Sequence, residues 1–122
     1  MEIWINPACS KCRTATAELD ASGIDYTVRR YLEDPPTAAE LGEVLDRIGT
    51  EPWDIARAAE VKAAGITLPR EKAHREDWIA AMVADPRTIQ RPIITTTDGT
   101  AVVARDASTL GGAIERERDQ LR

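Results

Sequence analysis

This sequence predicts an α/β fold with one mixed four-stranded sheet, and three observations carry that prediction. The chain opens on a short β-prone run, Glu2-Ile3-Trp4-Ile5, which breaks at Asn6-Pro7. A helical pattern and a second β-prone run follow at once, the order of a β-α-β unit with a parallel strand pair. Near the other end, two further β-prone runs flank Asp98-Gly99, a dipeptide favoured in hairpin turns.

The elements follow in order. Between Ser10 and Ser22, Cys12, Ala15, Leu19 and Ser22 recur at helical spacing, and Gly23 stands where such a helix stops. Tyr26 to Tyr31 alternates as a strand. Asp34-Pro35-Pro36 then interrupts the chain ahead of Thr37 and Glu40, a capping box in which hydroxyl and carboxylate each satisfy the other residue's amide. Leu41, Val44, Leu45 and Ile48 form the apolar stripe of that helix, and Gly49 closes it. A shorter helix is expected from about Pro52 to Ala64, carrying Arg57. Another is expected from Glu76 to Ala84, with Trp78, Ile79, Met82 and Val83 inward and Asp85-Pro86 at its end. The hairpin spans Ile93–Thr97 and Thr100–Ala104. Ser108 is the expected cap of a last helix with Leu110, Ile114 and Leu121 on one face, and its charged end, Glu115 to Arg122, is read as solvated. The order β-α-β, helical block, β-β-α is a thioredoxin-like plan with a helical insertion before the hairpin.

Residues 1–122 are expected to form one domain, since 43% of them are apolar and 30% charged, enough to build a core. There is no internal repeat or low-complexity tract, no run approaching the roughly 18 apolar residues of a membrane span, and no signal-peptide pattern at the start. With 16 Lys+Arg against 21 Asp+Glu the net charge is −5, which argues against a nucleic-acid-binding surface. Two cysteines are too few for a disulfide-stapled scaffold, so their spacing carries the information.

Cys9 and Cys12 stand in Pro7-Ala8-Cys9-Ser10-Lys11-Cys12-Arg13, where the first strand passes into the first helix. Free amide groups and the helix dipole there favour an anion, so a thiolate at Cys9 is stabilised and reactive. Lys11 and Arg13 add positive charge. Cys12 lies one helical turn on, within reach of Cys9 for a disulfide. It equally suits a small buried residue on the core side of the helix, and both readings stand. Zinc would need more ligands than His74, the single histidine, so no metal site is expected.

Read together, Asn6-Pro7-Ala8-Cys9 with Arg13, Tyr31-Leu32-Glu33-Asp34-Pro35-Pro36-Thr37, Arg57, Arg91-Pro92-Ile93 and Arg105 resemble the glutaredoxin-like arsenate reductases, the ArsC family, and their relatives the Spx-type regulators. The resemblance implies a thiol-dependent reduction of arsenate in which Cys9 forms a covalent adduct. It implies that Arg57, Arg91 and Arg105 bind the oxyanion, with Asn6, Arg13 and Pro92 supporting and Pro92 in a cis peptide. Forked guanidinium contacts suit a thiolate meeting a dianion, because they offset the repulsion. No tightly bound cofactor is implied. The reductant is an external thiol, either glutathione with glutaredoxin or thioredoxin, and Cys12 is a candidate resolving thiol that would favour the latter. A cytoplasmic monomer is expected, with arsenate and a small redox protein as partners and neither nucleic acid nor membrane. Two alternatives remain open: an Spx-type redox-sensing regulator that binds RNA polymerase, and a general thiol–disulfide oxidoreductase. Arg105 and Asp34-Pro35-Pro36-Thr37 favour the reductase over the regulator.

Overall fold

A computed structural model describes residues 1–122. In chain order the elements are β1 (Glu2–Ile5), α1 (Ser10–Ser22), β2 (Thr27–Arg30), α2 (Ala38–Ile48), α3 (Ala58–Ala63), α4 (Arg75–Ala84), β3 (Ile93–Thr95), β4 (Ala101–Val103) and α5 (Ala107–Gln120). Single 3₁₀ turns lie at Pro52–Ile55, Lys72–His74 and Pro86–Thr88. The chain divides into two compact units, residues 1–34 with 91–122, and residues 35–90.

The first unit holds the sheet, in the order β2-β1-β3-β4. β1 pairs with β2 in parallel and with β3 antiparallel, Ile3 standing opposite Val28 on one side and Ile94 on the other. A central strand is covered on both faces, which is why Ile3, Trp4 and Ile5 are all buried instead of alternating with polar residues. Against Ile3, Ile5 and Ile94 pack Cys12, Ala15 and Leu19 of α1 and Leu110, Ala113 and Ile114 of α5. α1 ends as expected at Gly23, whose φ of 74° a side chain would disfavour. The Arg91-Pro92 peptide is cis. This is the thioredoxin-like arrangement expected from the order of elements.

Several details differ from the sequence reading. The second strand stops at Arg30, and Tyr31 turns inward to full burial. The hairpin loop has three residues, Thr97-Asp98-Gly99. The Thr96 amide donates to the Thr100 carbonyl, and Gly99 alone in the turn takes a positive φ, 89°, whereas a two-residue type I′ turn would need one at Asp98 as well. Asp106, and not Ser108, caps α5: its carboxylate accepts from both the amide and the hydroxyl of Thr109, at 2.7 and 3.0 Å. Leu121 follows the last helical residue and is 71% exposed, off the face that Leu110 and Ile114 share. Within the charged tail Glu117 is buried, accepting from the Thr97 amide at 2.8 Å and its hydroxyl at 2.6 Å, with the Met1 ammonium 3.5 Å away. A carboxylate with those partners tolerates removal from water.

The second unit is helical. α2 begins in the expected capping box of Thr37 and Glu40, and its Leu41, Val44 and Leu45 are buried. α4 contributes Trp78, Ile79 and Met82, while Val83 is only half-buried. Arg75 joins Asp46 at 2.8 Å and Glu51 at 3.3 Å. The single helix expected over Pro52–Ala64 is instead a 3₁₀ turn, an extended pair of residues and then α3. Ala56 bridges Ile89, the Arg57 amide donates to the Thr88 carbonyl, and the Gln90 amide donates to Ile55. These tertiary backbone bonds override the helix preference of the local alanines.

Candidate active site

The site is assembled in the first unit. Cys9 is the N-cap of α1, with extended backbone, and is half-buried. Asn6 shapes the loop before it. The Asn6 side-chain oxygen accepts the Ala8 amide at 3.0 Å, its carbonyl accepts the Cys9 amide at 2.9 Å, and its own amide donates to the Cys12 sulfur at 3.5 Å. Arg13 donates to the carbonyls of Pro7 and Ala8 at 3.3 and 3.0 Å, so it clasps the loop from outside.

The two thiols are held in opposite states. Burial works against a charge on Cys9, but the Cys12 amide, the Cys12 thiol, the Lys11 amide and the Arg91 guanidinium together overcome it and bring its pKa down to about 7. Burial pushes the Cys12 thiol up to about 11, and the neighbouring Cys9 charge adds to that, against relief from the Asn6 amide. Cys12 is fully buried in the core under α1. One sulfur is thus an anion near neutral pH while the other keeps its proton and donates it.

Arg91, only 9% exposed, hydrogen-bonds Cys9 and also donates to the Tyr31 hydroxyl at 3.3 Å. Arg105 donates to the Arg91 carbonyl at 2.6 Å. The structure therefore brings together Cys9, Cys12, Asn6, Arg91, Pro92 and Arg105, with Arg13 on the outer side of the loop. Arg57 lies in the second unit, where its Nη1 donates to the Gln90 side chain at 2.8 Å and its Nε lies 3.4 Å from Glu60. Its oxyanion role rests on the resemblance alone. A cleft of about 350 Å³ opens along α1 and α5 beside Lys11, Thr14 and Arg105. No cluster of His, Cys, Asp and Glu able to hold a metal ion is present, and no helix is long and apolar enough to cross a membrane. Sequence reasoning passed over Tyr31 as a site residue. The signal was an aromatic residue closing the second β-prone run, which by itself does not tell a core ring from a ligand.

A thiolate at the head of a helix, with a second thiol one turn on and a buried arginine against it, defines a thiol-chemistry protein of the thioredoxin-like class. The ArsC family model matches residues 4–111, spanning both units, and the chain belongs to that family. An uncharacterized protein in the glnII region of Streptomyces viridochromogenes is 55% identical over 95% of this chain and 100% of its own length. An arsenate reductase of Rhizobium meliloti is 32% identical over 80% of this chain and 70% of its own. The solved arsenate reductase of Vibrio cholerae superposes with a TM-score of 0.71 at 29% identity, covering 94% of this chain and 97% of that one.

Proposed function

We propose that this protein is a thiol-dependent arsenate reductase with Cys9 as nucleophile. The observation that carries the reading is the Cys9 sulfur, its pKa brought to about 7 at the α1 N-terminus and hydrogen-bonded by the buried Arg91. The Cys9 thiolate attacks the arsenic of hydrogen arsenate. An S–As bond forms, and one As–O bond breaks with two protons taken up and water released. Arg91 and Arg105 offset the meeting of two anions and bind oxygens that carry the developing charge. A second thiolate then attacks the Cys9 sulfur. The S–As bond breaks with its electron pair kept on arsenic, which leaves as arsenite after protonation, and a disulfide forms.

Cys12 supplies that second thiol in our reading, because it stands one helical turn from Cys9 and hydrogen-bonds its sulfur, and a base or the departing arsenite takes its proton as it attacks. An external thiol reductant of the thioredoxin or glutaredoxin class returns two electrons to the disulfide, with the cytoplasm as the fitting compartment. The test is arsenate-dependent NADPH consumption coupled to each redox system in turn. Turnover that Cys9→Ser abolishes supports the reading. Turnover unchanged by Cys9→Ser, or none with any reductant, refutes it. Phosphate has the same shape but accepts no electrons from a thiol, so it serves as the blank.

A further inference from the structure

The Tyr31 phenol has no part in the scheme above, yet it is fully buried and its oxygen accepts from Arg91 Nη1 at 3.3 Å. Its ring lies 6.4 Å from that of Trp4, tilted by 34°. Trp4 in turn carries the Arg29 guanidinium 5.4 Å from its ring centre, and Asp34 holds Arg29. The phenol is therefore wedged in a row of ordered groups, and its oxygen has a fixed position. Arg91, by contrast, reaches the thiol on a long side chain with several rotatable bonds, and its orientation must come from what it touches. A phenol suits that task. It is uncharged, so it orients the cation without neutralising it, whereas a carboxylate in its place would draw the positive charge away from the sulfur.

We infer that Tyr31 is a positioning residue: its phenol oxygen holds the Arg91 guanidinium in the orientation that hydrogen-bonds the Cys9 sulfur, so a buried tyrosine governs the reactivity of the thiolate through Arg91. The inference rests on Cys9 being the nucleophile proposed above, but its test uses no arsenate. Phenylalanine at position 31 keeps the ring and its packing on Trp4 and removes only the oxygen.

Wild type and Tyr31→Phe are alkylated with iodoacetamide across about pH 5.5 to 9.5, the label on Cys9 being followed by mass spectrometry. The expected result is a half-point that rises by about half to one pH unit, with no fall in the limiting rate at high pH. Thermal melts monitor folding. In the double variant Tyr31→Phe/Arg91→Ala the profile matches that of Arg91→Ala alone, because the tyrosine acts through the arginine. An unmoved half-point, a uniform loss of rate at every pH, or a tyrosine effect that persists undiminished without Arg91 overturns the inference. Absence of arsenate turnover in the wild type would remove the proposed substrate and leave these profiles unchanged, so the two failures are distinguishable.

Discussion

With pKa values of about 7 for Cys9 and about 11 for Cys12, pH alone separates the two sulfurs. At pH 7 about half of Cys9 is thiolate, against about one part in ten thousand of Cys12. The more basic thiolate is the stronger nucleophile, and a four-unit difference returns a factor of about 40 to 100. The net expectation is alkylation of Cys9 about fiftyfold or more faster than Cys12 at pH 7, before the burial of Cys12 widens the gap further. The Cys9 rate rises about tenfold between pH 6 and 8 and then flattens. Site-resolved mass spectrometry after short pulses of iodoacetamide measures both quantities. A Cys9 rate that still climbs about threefold to fivefold between pH 8 and 9 would mark an ordinary thiol and refute the claim that the α1 amides and Arg91 stabilise its charge.

Three further outcomes follow from the same geometry. Arg91→Lys replaces a fork by a point charge, so the arsenate KM in the coupled assay rises by about tenfold or more while the melting temperature barely moves; an unchanged KM would remove Arg91 from oxyanion binding. Cys12→Ser abolishes thioredoxin-coupled turnover if the internal disulfide forms, and undiminished thioredoxin-coupled turnover would exclude Cys12 as the resolving thiol. Glu117→Ala removes the acceptor of the Thr97 amide and hydroxyl and the partner of the Met1 ammonium, costing roughly 2 to 3 kcal/mol and lowering the melting temperature by about 10 °C. Burial opposes the Glu117 charge, but the Thr97 hydroxyl, the Thr97 amide and the Met1 ammonium outweigh it and hold the carboxyl below its ordinary value. Its contribution is therefore full above the usual glutamate range and is lost as the pH falls through the lowered folded value. The wild type is expected to lose more stability on acidification than Glu117→Ala, so that the gap between their melts closes at low pH, and equal acid sensitivity in both proteins contradicts the assignment.

What was legible in the sequence was what local chemistry decides. The start of α2 was readable because Thr37 and Glu40 satisfy each other's amides three residues apart, and the end of α1 because Gly23 alone there accepts a positive φ. The cysteine pair was readable because a strand-to-helix junction is itself the source of the field on Cys9. The illegible parts depend on partners distant in the chain. Residues 52–64 read as one helix because nothing nearby announces that Ile89 will pair with Ala56. Glu117 read as solvated because its partner, Thr97, stands twenty residues away in a turn. Tyr31 and Arg91 are sixty residues apart, and no spacing rule links a residue after one strand to a residue before another.

The position of β1 between β2 and β3 has a consequence for biosynthesis. Ile3 leaves the ribosome well before one of its two neighbours, Ile94, because the helical unit of residues 35–90 lies between them in the chain. Until then the nascent amino-terminal stretch can pair only with β2, one edge of an apolar strand standing open. Residues 35–90 form a contiguous helical unit that emerges whole in the interval. The segment carrying the reactive sulfur is therefore translated ahead of the whole helical unit and acquires Arg91, and with it its full electrostatic setting, only after that unit has been made.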